Sequence, residues 1–413
     1  MTSTDSQSQS VEHRTLGERE LIVLMALLMS LQAFGIDAML PALGDIGSEL
    51  GALGNERQLV IGAYFFGSGI GAFFPGAFAD RFGRRPVLAV GLLSYILLSI
   101  ACTLVSDFSV LLALRFIQGV ACAGLSVVPA AIVRDRVGGD KMARMMSLII
   151  MIFLIVPIIA PAIGQFILWF FSWRAIFGMM VVMGILVGGW VWLRLPESLK
   201  PENQQDIIPK VILANMGRAL SVRGSIGYVI GSGLVFGSLF GFLNSSQQLI
   251  GEAFGMGDYF ALIFGAAVLG MVAASFLNSR IVERFGARRL SQTALLGFLA
   301  ISTVMVWSSG RGDQTLIEFV ILICAANAMM GFIGANFSSI AMQPYVSIAG
   351  AASSAHSVVR LGSGSLLGAY IGSLYNGTAQ PLALSMLVCG LIALGLVLYS
   401  EKGKLFTRPN APS

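Results

Sequence analysis

Charge is what this chain of 413 residues lacks most: Asp, Glu, Lys and Arg together make up 11% of it. Soluble globular proteins carry roughly 25%, so water is not the principal solvent here. Histidine occurs twice, and the four cysteines, Cys102, Cys122, Cys324 and Cys389, all lie inside apolar runs with no CxxC spacing. Neither a disulfide framework nor a zinc site is expected from that pattern. HExxH, GxSxG, Walker A and clustered metal ligands are missing as well, which argues against a membrane enzyme, a receptor on such a scaffold or an ATP-driven pump. The net charge of +5 resides in short connections and forms no patch with interleaved aromatics, so nucleic acid is not an expected partner.

What the chain does have is apolar length. Hydrophobic residues reach 56%, mean hydropathy is +0.83, and 49 glycines allow the close backbone approach that helix packing in lipid requires. About twelve segments have the roughly 20 residues needed to cross a hydrocarbon core. They lie near 21–43, 57–79, 86–106, 109–132, 146–169, 174–195, 224–249, 259–281, 290–308, 315–338, 351–375 and 380–400. The polar start, ending in GERE, and the length of the first run make it a membrane helix and not a cleaved leader. Pro196 to Arg223, beginning PESLKPENQQD, reads as a linker between halves.

A repeat organises these segments. GAFADRFGRRP at Gly76 to Pro86 returns as IVERFGARRL at Ile281 to Leu290, aligning Asp80 with Glu283, Gly83 with Gly286 and Arg85 with Arg288 at one offset. The expected fold is therefore all-α: twelve transmembrane helices in two pseudo-symmetric six-helix bundles. The division is a tail (1–20), a first bundle (21–195), a linker (196–223), a second bundle (224–400) and a second tail (401–413). Twenty-one of the 26 basic residues fall on one set of connections and three, Arg57, Arg174 and Arg311, on the other. We call these the basic and the sparse face. The bias predicts a basic face in the cytoplasm, with both termini there and a bacterial inner membrane around the bundle.

Arg115 and Arg360 remain inside predicted spans, and Asp37 joins them. A charge at mid-bilayer costs at least about 2.5 to 3.5 kcal/mol, so those present usually face a cavity or a partner. Asp37, in FGIDAMLPAL, and Arg115, in LRFIQGVACAG, are each placed about six residues from the sparse end, roughly 9 Å deep, where they can pair. A carboxyl group poised between burial and a guanidinium can take up and release a proton; a fixed structural pair is the plainer reading. Gln118 shares the Arg115 face, where it can hydrogen-bond within the same cavity as a substrate-binding candidate, and Gly119 permits close approach. His356 and Arg360 share a face in the eleventh span: Arg360 either snorkels to the basic interface or bonds backbone carbonyls, or it gives the cavity a positive wall that contacts substrate, and His356 reads as a packed polar residue or a proton carrier. Tyr64, Phe236, Phe240 and Asn244, with Phe34 and Met39, are wall candidates by position. Pro157 and Pro161 should bend the fifth span. At the basic face Asp80 is expected to accept from Arg134 or Arg136 and to latch the closed state.

These motifs carry a resemblance. The chain resembles the major facilitator superfamily, and within it the proton-driven drug efflux branch of the Bcr/CflA type, over nearly its whole length. Gly76, Asp80, Arg81, Gly83, Arg84 and Arg85 look like the loop signature between helices 2 and 3. Arg115, Gln118 and Gly119 match the RxxQG of helix 4, which the family associates with proton transfer. DAMLPAL at Asp37 to Leu43 is similar to the helix 1 segment whose acid is implicated in proton and substrate binding. Pro157, Ala160, Pro161 and Gly164 resemble the antiporter signature of helix 5, and WRAIFG through LPESL also fits the branch. The resemblance implies export of small amphipathic molecules in exchange for protons, with the proton gradient as energy source, no cofactor, and a single chain as the complete pathway. A proton-coupled importer of a small nutrient is the alternative. His356 and Arg360 lie outside the branch's pattern and would suit a neutral, zwitterionic or anionic substrate.

Overall fold

The computed structural model describes residues 16–406 except 53, 138, 205–216, 219–220 and 346–348. Most of the expected linker and tails thus lie outside the described residues. Within them the chain is helical, with no strand.

Ten helices are long and apolar enough to cross a membrane: 18–50, 84–104, 108–136, 144–168, 174–194, 223–253, 257–285, 287–310, 316–342 and 380–400. They fall on ten of the predicted segments. The second predicted segment is a bent pair, Glu56–Gly71 and Pro75–Phe82, meeting at 48°. Pro75 opens the lower piece, where its missing N–H costs nothing. The eleventh segment is assembled from Ala349–Val358, a π-helical turn Val359–Ser363 and Gly364–Ser373, each too short to cross alone. Local chemistry sets the starts: the Asp107 carboxylate caps the fourth span by accepting from Val110 N at 2.9 Å, and Thr315 caps the tenth.

The first span differs from the expectation. It does not stop near residue 43 but passes Pro41 in a 3-10 turn, Leu40–Ala42, and resumes as Leu43–Leu50. Proline lacks only its own N–H, and the shorter turn accommodates it without ending the helix.

Spans 1 and 7 form the centre. Of their most apolar windows, 72% and 78% of residues are buried, against 33% for spans 3, 6 and 8. Side chains such as Leu104 and Leu193, 75% and 81% exposed, make an apolar outer surface that only lipid solvates well. The halves meet where span 2 lies on span 11 and span 5 on span 8. The first contact is backbone on backbone: a Cβ on Gly69 would fall 2.9 Å from the Gly362 nitrogen. Within the first half, Gly67 and Gly119 let spans 2 and 4 touch in the same manner, each facing the other span's carbonyl oxygens. The repeat is also geometric, since Gly83 and Gly286 take positive φ values, +102° and +85°, at corresponding turns.

Candidate functional site

Arg115 is completely buried, but its partner is not Asp37. Its Nη2 donates to the Gly35 carbonyl at 2.7 Å, Nη1 to Gln118 Oε1 at 2.7 Å and Nε to the Val60 carbonyl at 3.4 Å. The guanidinium lies 4.3 Å above the Tyr64 ring and 5.8 Å from that of Phe177. Gln118 passes the chain on to Ser99 Oγ at 2.9 Å. The expected pairing of Asp37 with Arg115 is thus corrected. Successive helical residues turn by about 100°, so Gly35 and Asp37 point to nearly opposite sides of span 1. Tyr64 and Gln118, expected to border a substrate space, are fully buried as supports of the guanidinium. Phe34 and Met39 are likewise core residues.

Asp37 is 6% exposed and makes no hydrogen bond or ion pair among the described residues. It also sits deeper than expected. Glu49, twelve residues on, reaches Arg174 and Trp173 at the sparse face, so Asp37 stands about 18 Å of helix rise below that level. The antiporter-like segment is its neighbour. Span 5 is interrupted after Phe153, resumes at Val156–Leu168 with Pro157 in its first turn, and buries Ala160, Pro161 and Gly164. A Cβ on Gly164 would strike the carbonyl oxygen of Ala38, the residue after Asp37. A crevice of 270 Å³ opens nearby, lined by Pro41, Asp45, Gln165, Gln247, Asp258 and Phe260 among others.

The sparse face is bolted across the two halves. Arg57 pairs with Glu252, and Gln58 bonds Gln248. Gln248 also donates to Asn55 Oδ1 at 2.8 Å, while the Asn55 amide reaches the carbonyls of Ser373 and Tyr375, each at 3.0 Å. Below this layer Phe65 of span 2 stacks on Phe240 of span 7 with centroids 3.9 Å apart. Asn244 is 1% exposed with both amide atoms unpartnered. Phe236 continues the row and lies under the Arg360 guanidinium at 4.5 Å. His356 Nε2 contacts Ser232 Oγ at 3.0 Å.

At the basic face the structure replaces the expected partner of Asp80. Arg84, 3% exposed, bonds Asp80 at 2.5 Å and Asp135 at 2.8 Å, whereas no bond joins Asp80 to Arg134 or Arg136 among the described residues. Asp135 lies between those two arginines in sequence and is the second acid that Arg84 bonds. Glu197 completes the cluster as a cap for span 3, accepting from Arg84 N and Arg85 N at 3.0 Å and from Ser198 N and Leu199 N at 2.9 Å. Partial burial alone would raise its pKa, but the four amides outweigh burial and hold it below the ordinary carboxylate range. Arg85 lies against Trp192, and Gly76 meets nothing that its lack of a side chain would spare. The named bonds of this network join parts of the first half to each other. Sequence reasoning missed Asp135 and Glu197, although RDR and LPES held the signal: an acid beside each cluster of helix ends.

Residues 25–369 match the Major Facilitator Superfamily. A bicyclomycin resistance protein homolog of Haemophilus influenzae is 29% identical over 379 residues, covering 90% of this chain and 94% of that protein. The multidrug resistance protein MdtL of Klebsiella pneumoniae is 30% identical over 383 residues, 92% and 95% of the two chains. Among solved structures, the human organic anion transporter MFSD10 superposes with a TM-score of 0.67 at 17% identity, covering 93% of this chain and all of that one. The chain belongs to the Major Facilitator Superfamily, a family of integral membrane transporters and not enzymes.

Proposed function

We propose that the protein exports small amphipathic molecules in exchange for protons by alternating access. The basic face is cytoplasmic, a single chain forms the pathway, and no cofactor takes part. One observation carries the reading: the Asp37 carboxyl is buried in a central span with no partner, against the backbone contact of span 5. An unpaired carboxyl in lipid is tolerated where protonation serves a purpose, and a crevice lined in part by Pro41, one turn beyond, lies on that side of it. Arg115, with each guanidinium nitrogen in a hydrogen bond, orients span 1 through the Gly35 carbonyl and does not itself exchange the proton. The relatives' names, a bicyclomycin resistance homolog and a multidrug resistance protein, support an exported toxic compound as substrate.

The bolts at the sparse face describe the state closed on that side. Release of substrate there requires Asn55, Arg57 and Gln58 to part from Gln248, Glu252 and Tyr375 as the halves rock. In proteoliposomes with an imposed pH gradient, Asp37→Asn should abolish proton-coupled flux while the protein stays folded. Undiminished coupling in this variant would remove Asp37 from the mechanism. The direction of flux in inverted against right-side-out vesicles separates export from import.

A further inference from the structure

Two buried arginines in one bundle invite comparison. Arg115 is well furnished: two carbonyls and a glutamine oxygen give each of its three nitrogens an acceptor, and an aromatic face lies beneath it. Arg360 has only the aromatic face. No hydrogen bond or ion pair to it is found among the described residues, and its Nε is buried without an acceptor. It sits ten residues into the eleventh span from the basic end, about 15 Å of rise, close to the middle of a core about 30 Å thick. That depth is beyond the reach of a side chain that snorkels to the interface.

Its position excludes lipid as the neighbour. The π-turn that carries it, Val359–Ser363, packs between span 7 and span 2, where Gly69 abuts Gly362. The guanidinium rests on Phe236, which leads through Phe240 to Phe65 across the junction of the halves. The side chain is nevertheless not fully buried, so space remains beside it inside the bundle. His356, one turn away, is occupied by Ser232 and supplies no negative charge.

From this we infer that Arg360 is the receptor for an oxyanion carried by the transported molecule, a carboxylate or sulfonate attached to an aromatic or apolar body that lies along Phe236, Phe240 and Phe65. The inference rests on the transporter reading above and narrows its substrate to organic anions and zwitterions. A planar fork with free donors over an aromatic plate selects such a group in a bidentate manner. The substrate then supplies the counter-charge that the protein omits, which makes an empty site costly and a loaded one stable.

The test is equilibrium binding to the purified full chain in nanodiscs, with three matched probes: 2-naphthoate, 2-naphthamide and a naphthyl-trimethylammonium cation. Native protein should prefer naphthoate, Arg360→Gln should weaken it at least tenfold with naphthamide unchanged, and Arg360→Lys should restore part of the loss. Phe236→Ala should weaken naphthoate and naphthamide alike. On the unaltered protein, inorganic sulfate should displace naphthoate and leave naphthamide bound, which needs no variant to fold. Preference for the cation, no naphthoate binding to the native chain, or naphthoate binding untouched by Arg360→Gln and by sulfate would each overturn the assignment. None of these measurements depends on proton coupling, so an Asp37→Asn variant that still couples flux fails a different claim.

Discussion

The two hairpins at the basic face share a fold and differ in what secures it. Each turns on a glycine with positive φ, and each is held by the segment that follows the last helix of its own half. In the first, Glu197 caps the backbone of span 3 while Arg84 is clamped between Asp80 and Asp135. In the second, Ala287 stands at the position of Arg84. Arg288 reaches Glu401 at 2.8 Å and Gln343 at 3.1 Å, and Glu401 also accepts from the Tyr228 hydroxyl at 2.7 Å. Duplication kept the backbone solution and let the electrostatic one drift. The first hairpin depends on one buried arginine shared by two acids, and the second on a single half-buried pair that an aromatic hydroxyl supports.

The sharpest break in this comparison is loss of the central arginines. Arg84→Ala strands Asp80 and Asp135, and removing one partner of a buried cluster costs about 3 to 5 kcal/mol. Arg288 is 19% and Glu401 11% exposed, and Glu401 keeps the Tyr228 hydroxyl, so Arg288→Ala should cost less, about 1.5 to 3 kcal/mol. Thermal unfolding of the purified variants in one detergent compares them, and equal losses would show that the clusters are equivalent after all. Next come the turns. Alanine at +102° or +85°, with ψ of 158° and 140°, enters a region that glycine alone frequents and costs on the order of 1 to 3 kcal/mol. At Gly83 it also presses on the Glu197 carboxylate, with a Cβ 2.7 Å from Oε2, so Gly83→Ala should exceed that backbone cost.

The smallest effect is a pH dependence of the first hairpin. Glu197 titrates below its unfolded value, so its contribution is complete above the ordinary carboxylate range and disappears as pH falls through the folded pKa. Unfolding midpoints followed downward from pH 7 should therefore decline at the acid end, and Glu197→Gln should flatten that decline. An unchanged profile would assign the acid loss to other carboxylates.

The span pattern, the repeat and the three intramembrane charges were legible because lipid enforces them: apolar length, one offset and costly ionisation leave few ways to write the same fold. The partners of Arg115 were not legible. Two are backbone carbonyls, which carry no residue identity, and choosing Gly35 over Asp37 depends on helix phase across a proline turn that reads as an end. Tyr64 looked like a wall residue for the same reason, since an aromatic on an apolar helix announces neither cavity nor core. The depth of Asp37 was misjudged because the 3-10 turn at Pro41 extends the span instead of closing it. Arg360 was found as an unexplained charge, but the π-turn that sets it over Phe236 has no signature in VRLGS.

Amides dominate the bolt across the sparse face: Asn55, Gln58 and Gln248 supply most of its named bonds, and Arg57 pairs with Glu252 beside them. Carboxamides neither titrate nor attract a screening atmosphere. The amide bonds of that closure are therefore insensitive to the acidity and salinity of the compartment they meet, and the Arg57–Glu252 pair is a part that salt weakens.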